Sequence, residues 1–274
     1  MNKQPFNEKK STSNHTTDKK NKKKSFGFKK FFLALLTLFI VVFLGVGCGL
    51  VAIGLDGDKD VSDIHPPASS QILDMNGNLI TNIHATENRT LVTLDKIPAN
   101  LQNAFIAVED NRFYEHNGID PRGIFRAIYS NLTSGEVAEG GSTITQQLAK
   151  NAFLSQDRTF KRKIQEFFIA LRLERQYTKE EILEMYLNQI YFGRGAYGVQ
   201  AAAQTYFGKD VSQLDLSECA MLAGIPRSPN YYSPLNNLGA ANERKAEVLD
   251  QMVKYGYIDS TTACLLYTSP SPRD

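Results

Sequence analysis

Twenty-five consecutive residues, Phe31 to Leu55, carry no charged side chain. That run constrains the chain more than any other feature. As a helix it is longer than the roughly 30 Å of hydrocarbon in a bilayer. The thirty residues before it hold ten lysines against two acids, Glu8 and Asp18, with few apolar side chains to bury. Such a tail is expected to be disordered. Lysines flanking an apolar span stay on the cytoplasmic side, so residues 1–30 are expected in the cytoplasm, 31–55 as an uncleaved anchor, and everything after Asp56 outside. A cleaved signal peptide fits less well, because the run exceeds the usual apolar core and no Ala-x-Ala site follows. A lipid-modified Cys48 lacks the aliphatic residue three positions upstream.

The small formal charge of +2 conceals an asymmetry. Residues 1–30 carry a net +8, and the remainder, with 21 basic and 27 acidic side chains, a net −6. An acidic body excludes a basic nucleic-acid binder, and the tail reads as a topology signal or a contact for anionic lipid. Cys48, Cys219 and Cys264 form neither a disulfide framework nor a zinc spacing, and the four histidines are scattered.

Residues 56–95 read as a linker and a β-hairpin. Gln71–Met75 and Leu79–Ile83 alternate around Asn76-Gly77, a dipeptide suited to a tight turn. Residues 96–258 read as a mainly α domain. Pro98 suits a first helical turn, with Leu101, Phe105 and Val108 on one face. In the helix expected over Arg158–Tyr177, the spacing of Ile164, Phe167, Phe168 and Leu171 predicts a core-facing stripe. Glu166 lies roughly 200° from Ile164 and is expected to point away from it, with Arg162 one turn earlier on its side. A capping box at Thr178–Glu181 opens the next helix, which should stop near Gly193. Further helices are expected over Ala196–Tyr206, Leu216–Gly224 and Ala240–Tyr255, and residues 265–274 break the pattern.

Chemistry concentrates between Ala107 and Asn188. Glu109 and Glu166 are two separated carboxylates, the second among basic residues, and a hydroxyl- and amide-rich segment, Gly140 to Asn151, lies between them. Paired carboxylates suit acid–base work on a sugar or a phosphorylated sugar. Ser142, Thr143, Gln146 and Gln147 offer uncharged hydrogen-bonding groups for sugar hydroxyls and phosphate oxygens. Gly140-Gly141 before a helix start leaves backbone N–H groups for an anion. Lys150, Arg158, Arg162 and Lys163 add cations suited to pyrophosphate. Ordinary readings compete: a capped helix for the Thr143 segment, a surface acid for Glu109, an i,i+4 ion pair for Glu166, and plain core for the apolar stretch Ile119–Leu132.

Four motifs occur in order: Glu109-Asp110-x-x-Phe113-x-x-His116-x-Gly118; Gly141-Ser142-Thr143-Ile144-Thr145-Gln146-Gln147; Arg162-Lys163-x-x-Glu166; and Lys179-x-x-Ile182-Leu183-x-x-Tyr186-Leu187-Asn188. Arg227-Ser228-Pro229 forms a fifth. Over about Ser70 to Ile258 the chain resembles a peptidoglycan glycosyltransferase of the kind found in class A penicillin-binding proteins and their monofunctional relatives. The resemblance implies a lysozyme-like larger lobe, a smaller membrane-facing lobe over Ile119–Leu132, and a groove between them. It implies polymerisation of lipid II outside the cytoplasmic membrane, with inversion from α to β and release of undecaprenyl pyrophosphate. Glu109 maps onto the general base. Glu166 maps onto the second glutamate, near the leaving pyrophosphate, with a divalent cation (Mg²⁺ or Mn²⁺) as the implied cofactor and Glu166 as its ligand. Asp110, Phe113, Ser142, Thr143, Gln146, Gln147, Lys150, Arg158, Arg162, Lys163 and Asn188 form the implied substrate-binding set; His116 stays outside it as a scaffold residue. The implied partners are lipid II, the growing glycan strand, membrane lipid and other cell-wall synthesis and division proteins, with no nucleic acid.

The sequence has no Ser-x-x-Lys and no Lys-Thr-Gly, so no penicillin-type acyl-enzyme chemistry is encoded in these residues. The abrupt end from about Cys264 looks foreign to the family, and residues 259–274 are expected to be a truncated or artefactual end. Two other functions fit less well. One is a lysozyme-like hydrolase, against which the basic residues near Glu166 argue. The other is a non-catalytic membrane-anchored scaffold, against which the two intact glutamates argue.

Overall fold

A computed structural model describes residues 88–134, 140–154, 157 and 159–268, together with 32–33, 35–41, 44–45, 47, 49, 52, 70–73, 75 and 79–83. The chain divides into two units, Met1–Gly49 and Leu50–Asp274. The described residues of the first are helical. The anchor expected at 31–55 is described only in part, and the 1–30 tail and the Asn76-Gly77 turn lie outside the described residues. No helix of the described residues is long and apolar enough to cross a membrane.

The second unit is mainly helical. The hairpin forms as expected: β1 (Ser70–Leu73) and β2 (Leu79–Ile83) pair antiparallel, with Ser70 opposite Ile83 and an irregularity between Ile72 and Leu73. A second pairing is parallel and very short, β3 (Asn88–Arg89) against β4 (Ala196–Tyr197). The helices are α1 (Ala99–Glu109), α2 (Pro121–Ser134), α3 (Ile144–Phe153), α4 (Phe160–Gln176), α5 (Lys179–Gln189), α6 (Val199–Phe207), α7 (Leu216–Gly224), α8 (Leu238–Lys254) and α9 (Ser260–Thr268).

Capping side chains mark most of these starts. Thr143, Thr178 and Asp215 each accept a bond from the backbone N–H three residues on, while Gln146, Glu181 and Glu218 reach back to close a capping box. Thr159 caps α4 through Arg162 N–H. Pro98 sits just before α1, where its missing N–H costs nothing.

The core gathers around α7, whose residues from Glu218 to Gly224 are all buried. It packs on α1 and α8. Phe105 of α1 meets the rings of Tyr186 and Phe192 edge-on at 6.0 and 6.1 Å. The buried Glu218 carboxylate is met by Lys209 Nζ at 2.6 Å. Burial pushes the Cys219 thiol up to about 12, which leaves it inert as a nucleophile. Gly198 has φ +81°, and a Cβ there would lie 2.7 Å from Asn188 O; only glycine lets the chain cross the end of α5 as it passes from β4 into α6.

The sequence-based reading of α4 is inverted. Glu166, Ile169, Ala170 and Leu173 form its buried face. Of the expected stripe, Phe167 is exposed and Ile164, Phe168 and Leu171 are only partly covered. Both faces of this helix are apolar, so periodicity alone could not choose, and the buried glutamate sits on the face the pattern made outer. At the other end, the pattern expected to break from Leu265 stays helical to Thr268, with Ala263 buried.

Candidate active site

Glu109 is the last residue of α1. At Asp110 the backbone turns out of the helix (φ −158°, ψ 74°) while its N–H still bonds Ile106 O. Glu109 is half-buried and accepts at Oε2 from Gln147 Nε2 at 2.7 Å. The Tyr186 hydroxyl donates to Gln147 Oε1 at 3.4 Å, a long bond that still fixes which way the amide faces. Burial, and then the charges of Glu109 and Asp110, raises the Tyr186 pKa well above 10, so it remains a neutral donor. The order Tyr186, Gln147, Glu109 therefore points an N–H at the carboxylate.

Asp110 is buried and spends its carboxylate on the scaffold. His116 Nε2 lies 3.0 and 2.9 Å from its two oxygens, and Ile144 N–H donates to Oδ2 at 3.0 Å. One side chain thus ties the end of α1 to the loop after it and to the first turn of α3. Gly118 closes that loop. With φ +83°, it would place a Cβ 2.9 Å from Glu174 Cγ and 3.0 Å from Ala170 O, and its carbonyl accepts from Thr143 Oγ1 at 2.6 Å. Glu109 and Gln147 face each other because these two staples set α1 against α3.

Glu166 is buried with two cations on its oxygens. Lys163 Nζ lies 2.7 Å from Oε2 and Arg162 Nε 3.2 Å from Oε1. Lys163 also donates to Ser142 Oγ at 2.8 Å, joining the Gly141–Gln147 segment to α4. Lys150 has its pKa lowered, first by burial and then by the like charges of Arg162 and Lys163, while Glu166 and Glu109 pull it up. Lys150 therefore feels both glutamates, and the group is a pocket of positive charge held in place by one buried carboxylate.

Glu109 opens on a polar cleft of about 420 Å³, which Asn111, Arg126, Arg227, Tyr232 and Arg244 also line. A smaller recess beside it is bordered by Arg126, Gly140, Ser142 and Thr143. Ser142, Gln147, Lys150, Arg162 and Lys163 thus gather with the two glutamates. Four other members of the sequence-derived set do not present free groups to a substrate. Phe113 is fully buried under Lys179 Nζ, 4.5 Å from its ring centroid. Thr143 and Gln146 are buried in their mutual capping box. Asn188 is a staple: its Nδ2 donates to Val92 O and Glu184 O, and its Oδ1 accepts from Val92 N–H at 3.0 Å. Arg158 lies outside the described residues. Sequence reasoning missed Arg126, Tyr232 and Arg244 as cleft residues; Arg227 had a motif but no assigned role.

A family model described as Transglycosylase matches residues 76–253. Penicillin-binding protein 1F of Bacillus subtilis is 46% identical over 239 residues, which is 86% of this chain and 33% of that protein. Penicillin-binding protein 1A of Escherichia coli is 48% identical over 234 residues, 84% of this chain and 27% of that protein. The chain therefore spans about a third or less of the length of these relatives. The crystal structure of Penicillin-Binding Protein 1A from Haemophilus influenzae covers 75% of this chain and 21% of its own at 27% identity, with a TM-score of 0.45.

Proposed function

This chain belongs to the transglycosylase family, and from that premise we propose that it polymerises lipid II into β-1,4 glycan strands during bacterial cell-wall synthesis. The observation that carries this reading is the pairing of Glu109, oriented by Gln147 at the mouth of a polar cleft, with a cation cluster anchored on buried Glu166.

The acceptor is the 4-hydroxyl of a lipid II sugar, and the donor is the strand's reducing end on undecaprenyl pyrophosphate. Glu109 takes the hydroxyl proton as the oxygen attacks the anomeric carbon. The carbon–oxygen bond to pyrophosphate breaks on the opposite face, so configuration inverts from α to β. Charge grows on the departing pyrophosphate, and Lys163, Arg162 and Lys150 are placed to meet it. Glu166 orients these cations and offsets their mutual repulsion. A divalent ion held by the protein alone does not fit the donor set: both Glu166 oxygens face cations, and no group of three ligating side chains exists among the described residues.

The same reading gives the domain a lysozyme-like larger lobe and a smaller lobe on the membrane. Phe125, Tyr129 and Leu132 of α2 are more than two-thirds exposed, an apolar face suited to lipid next to the substrate's polyprenyl chain. The expected single-pass topology, with the catalytic body outside the cytoplasm, belongs to this proposal. So do the partners: the growing strand, membrane lipid and other wall-synthesis proteins.

The test is polymerisation of purified lipid II by the detergent-solubilised chain, read as glycan on a gel. Wild type should make polymer, and Glu109→Gln should lose at least ~100-fold in rate, the lower range for a positioned base. Glycan fragments from finished wall, or an active Glu109→Gln, would overturn the reading.

A further inference from the structure

Arg244 lies in the wall of the cleft that Glu109 lines, whereas Arg162, Lys163 and Glu166 do not line it. Its side chain is 7% exposed, and its Nε–H has no acceptor among the described residues. Its stem rests on Gly224, where a Cβ would lie 2.8 Å from Arg244 Cγ, and its guanidinium sits 5.9 Å from the Tyr232 ring centroid. Its one ionic partner among the described residues is different in kind: Glu247, on the same helix, has a side chain 59% exposed. A pair built for the core buries both charges. Here the cation is locked in the wall and the anion hangs at the rim, where water competes for it and the pairing is weak.

A guanidinium keeps its charge when buried, and a desolvated one gains most from a well-placed anion. Glu247 then acts as an occupant that a stronger anion displaces. We propose that Arg244 is a substrate-binding residue whose guanidinium takes an anionic oxygen, phosphate or carboxylate, at the Nη1 that Glu247 now holds, once Glu247 swings out. This forms an anion subsite separate from the Lys163 cluster. The inference rests on the transferase reading for the identity of the substrate, but its test needs no turnover.

Two probes separate the sources of the anion: inorganic pyrophosphate, and a muramoyl pentapeptide that carries carboxylates and no phosphate. Each is titrated calorimetrically into the full detergent-solubilised chain as wild type, Arg244→Gln, Arg244→Lys and Glu247→Gln. Loss of one charge-assisted hydrogen bond should weaken at least one probe about tenfold in Arg244→Gln. Arg244→Lys should recover part of that loss, and Glu247→Gln should bind as tightly as wild type or tighter. The probe that loses affinity identifies the group. In lipid II kinetics, Arg244→Gln should raise KM about tenfold with kcat within about threefold.

Equal binding of both probes by wild type and Arg244→Gln would overturn the inference, as would wild type binding neither. If Arg244→Gln does not fold, Glu247→Gln decides alone: weakening beyond threefold makes the pair structural and ends the proposal. Probe binding that depends on Arg244 in a protein that makes no polymer would instead count against the transferase reading and leave the subsite standing.

Discussion

Replacing Asp110 with alanine separates two roles for the residue beside the candidate base. The wild-type carboxylate serves His116 Nε2 at 2.9 and 3.0 Å and Ile144 N–H at 3.0 Å, in a site only 7% exposed. Hydrogen bonds to a carboxylate contribute about 1.5–3 kcal/mol each, and removing the acceptor strands two buried donors. With partial relaxation, Asp110→Ala should cost about 3–5 kcal/mol, a large share of the roughly 5–15 kcal/mol that holds a domain folded. At roughly 2–4 °C per kcal/mol for a domain of this size, thermal unfolding should drop by about 6–20 °C. Asp110→Asn keeps an acceptor for Ile144 N–H and should lose less than half as much. The measurement is thermal unfolding in detergent beside lipid II turnover of the surviving folded fraction. If Asp110→Ala unfolds within 2 °C of wild type, roughly the shift from 1 kcal/mol, the staple argument fails. If it does so while turnover collapses, Asp110 contacts substrate instead.

Three further outcomes follow from the same geometry. Gly118→Ala forces a side chain into positive φ and against Ala170 O, so it should destabilise by about 2 kcal/mol or more and lower activity with it; urea unfolding measures this. Lys150 has its pKa lowered mainly by burial, so it loses its charge at lower pH than an ordinary lysine; Lys150→Arg keeps the charge and should move the alkaline limb of kcat/KM to higher pH, whereas an unmoved limb would remove Lys150 from the phosphate-binding cations. Phe125→Ser with Leu132→Ser alters only exposed side chains, so unfolding should change by no more than about 0.5 kcal/mol while binding to phospholipid vesicles falls; vesicle co-sedimentation decides.

Much of the scaffold was legible because its signals are local. The Thr178–Glu181 capping box, Pro98 before α1 and the alternating strands around Asn76-Gly77 each announce themselves within a few residues, and each element forms where expected. What escaped depends on partners far along the chain. Asn188 looked like a ligand residue, yet its amide closes on Val92, 96 positions away. The parallel β3–β4 pair is two residues long, too short for any period to register. Glu166 was put on the outer face of α4 because it lies opposite the Ile164 stripe, which periodicity made the inner face; Arg162 and Lys163, one turn earlier, are what make its burial tolerable. Arg244 carried no motif, and only the fold brings it to the cleft that Glu109 opens on.

The all-round burial of α7 has a consequence for how the protein comes into being. Phe105 of α1 packs on Tyr186 and Phe192, more than eighty residues downstream, and α1 as a whole packs on α7. Contacts so distant in sequence close slowly, because a long loop must be ordered before any of them is made. During synthesis the first third of the domain, with the candidate base already in it, therefore has no stable home until residues past 224 have emerged. The catalytic end is made early and folded late, so its exposed apolar surface must be shielded from aggregation in the interval.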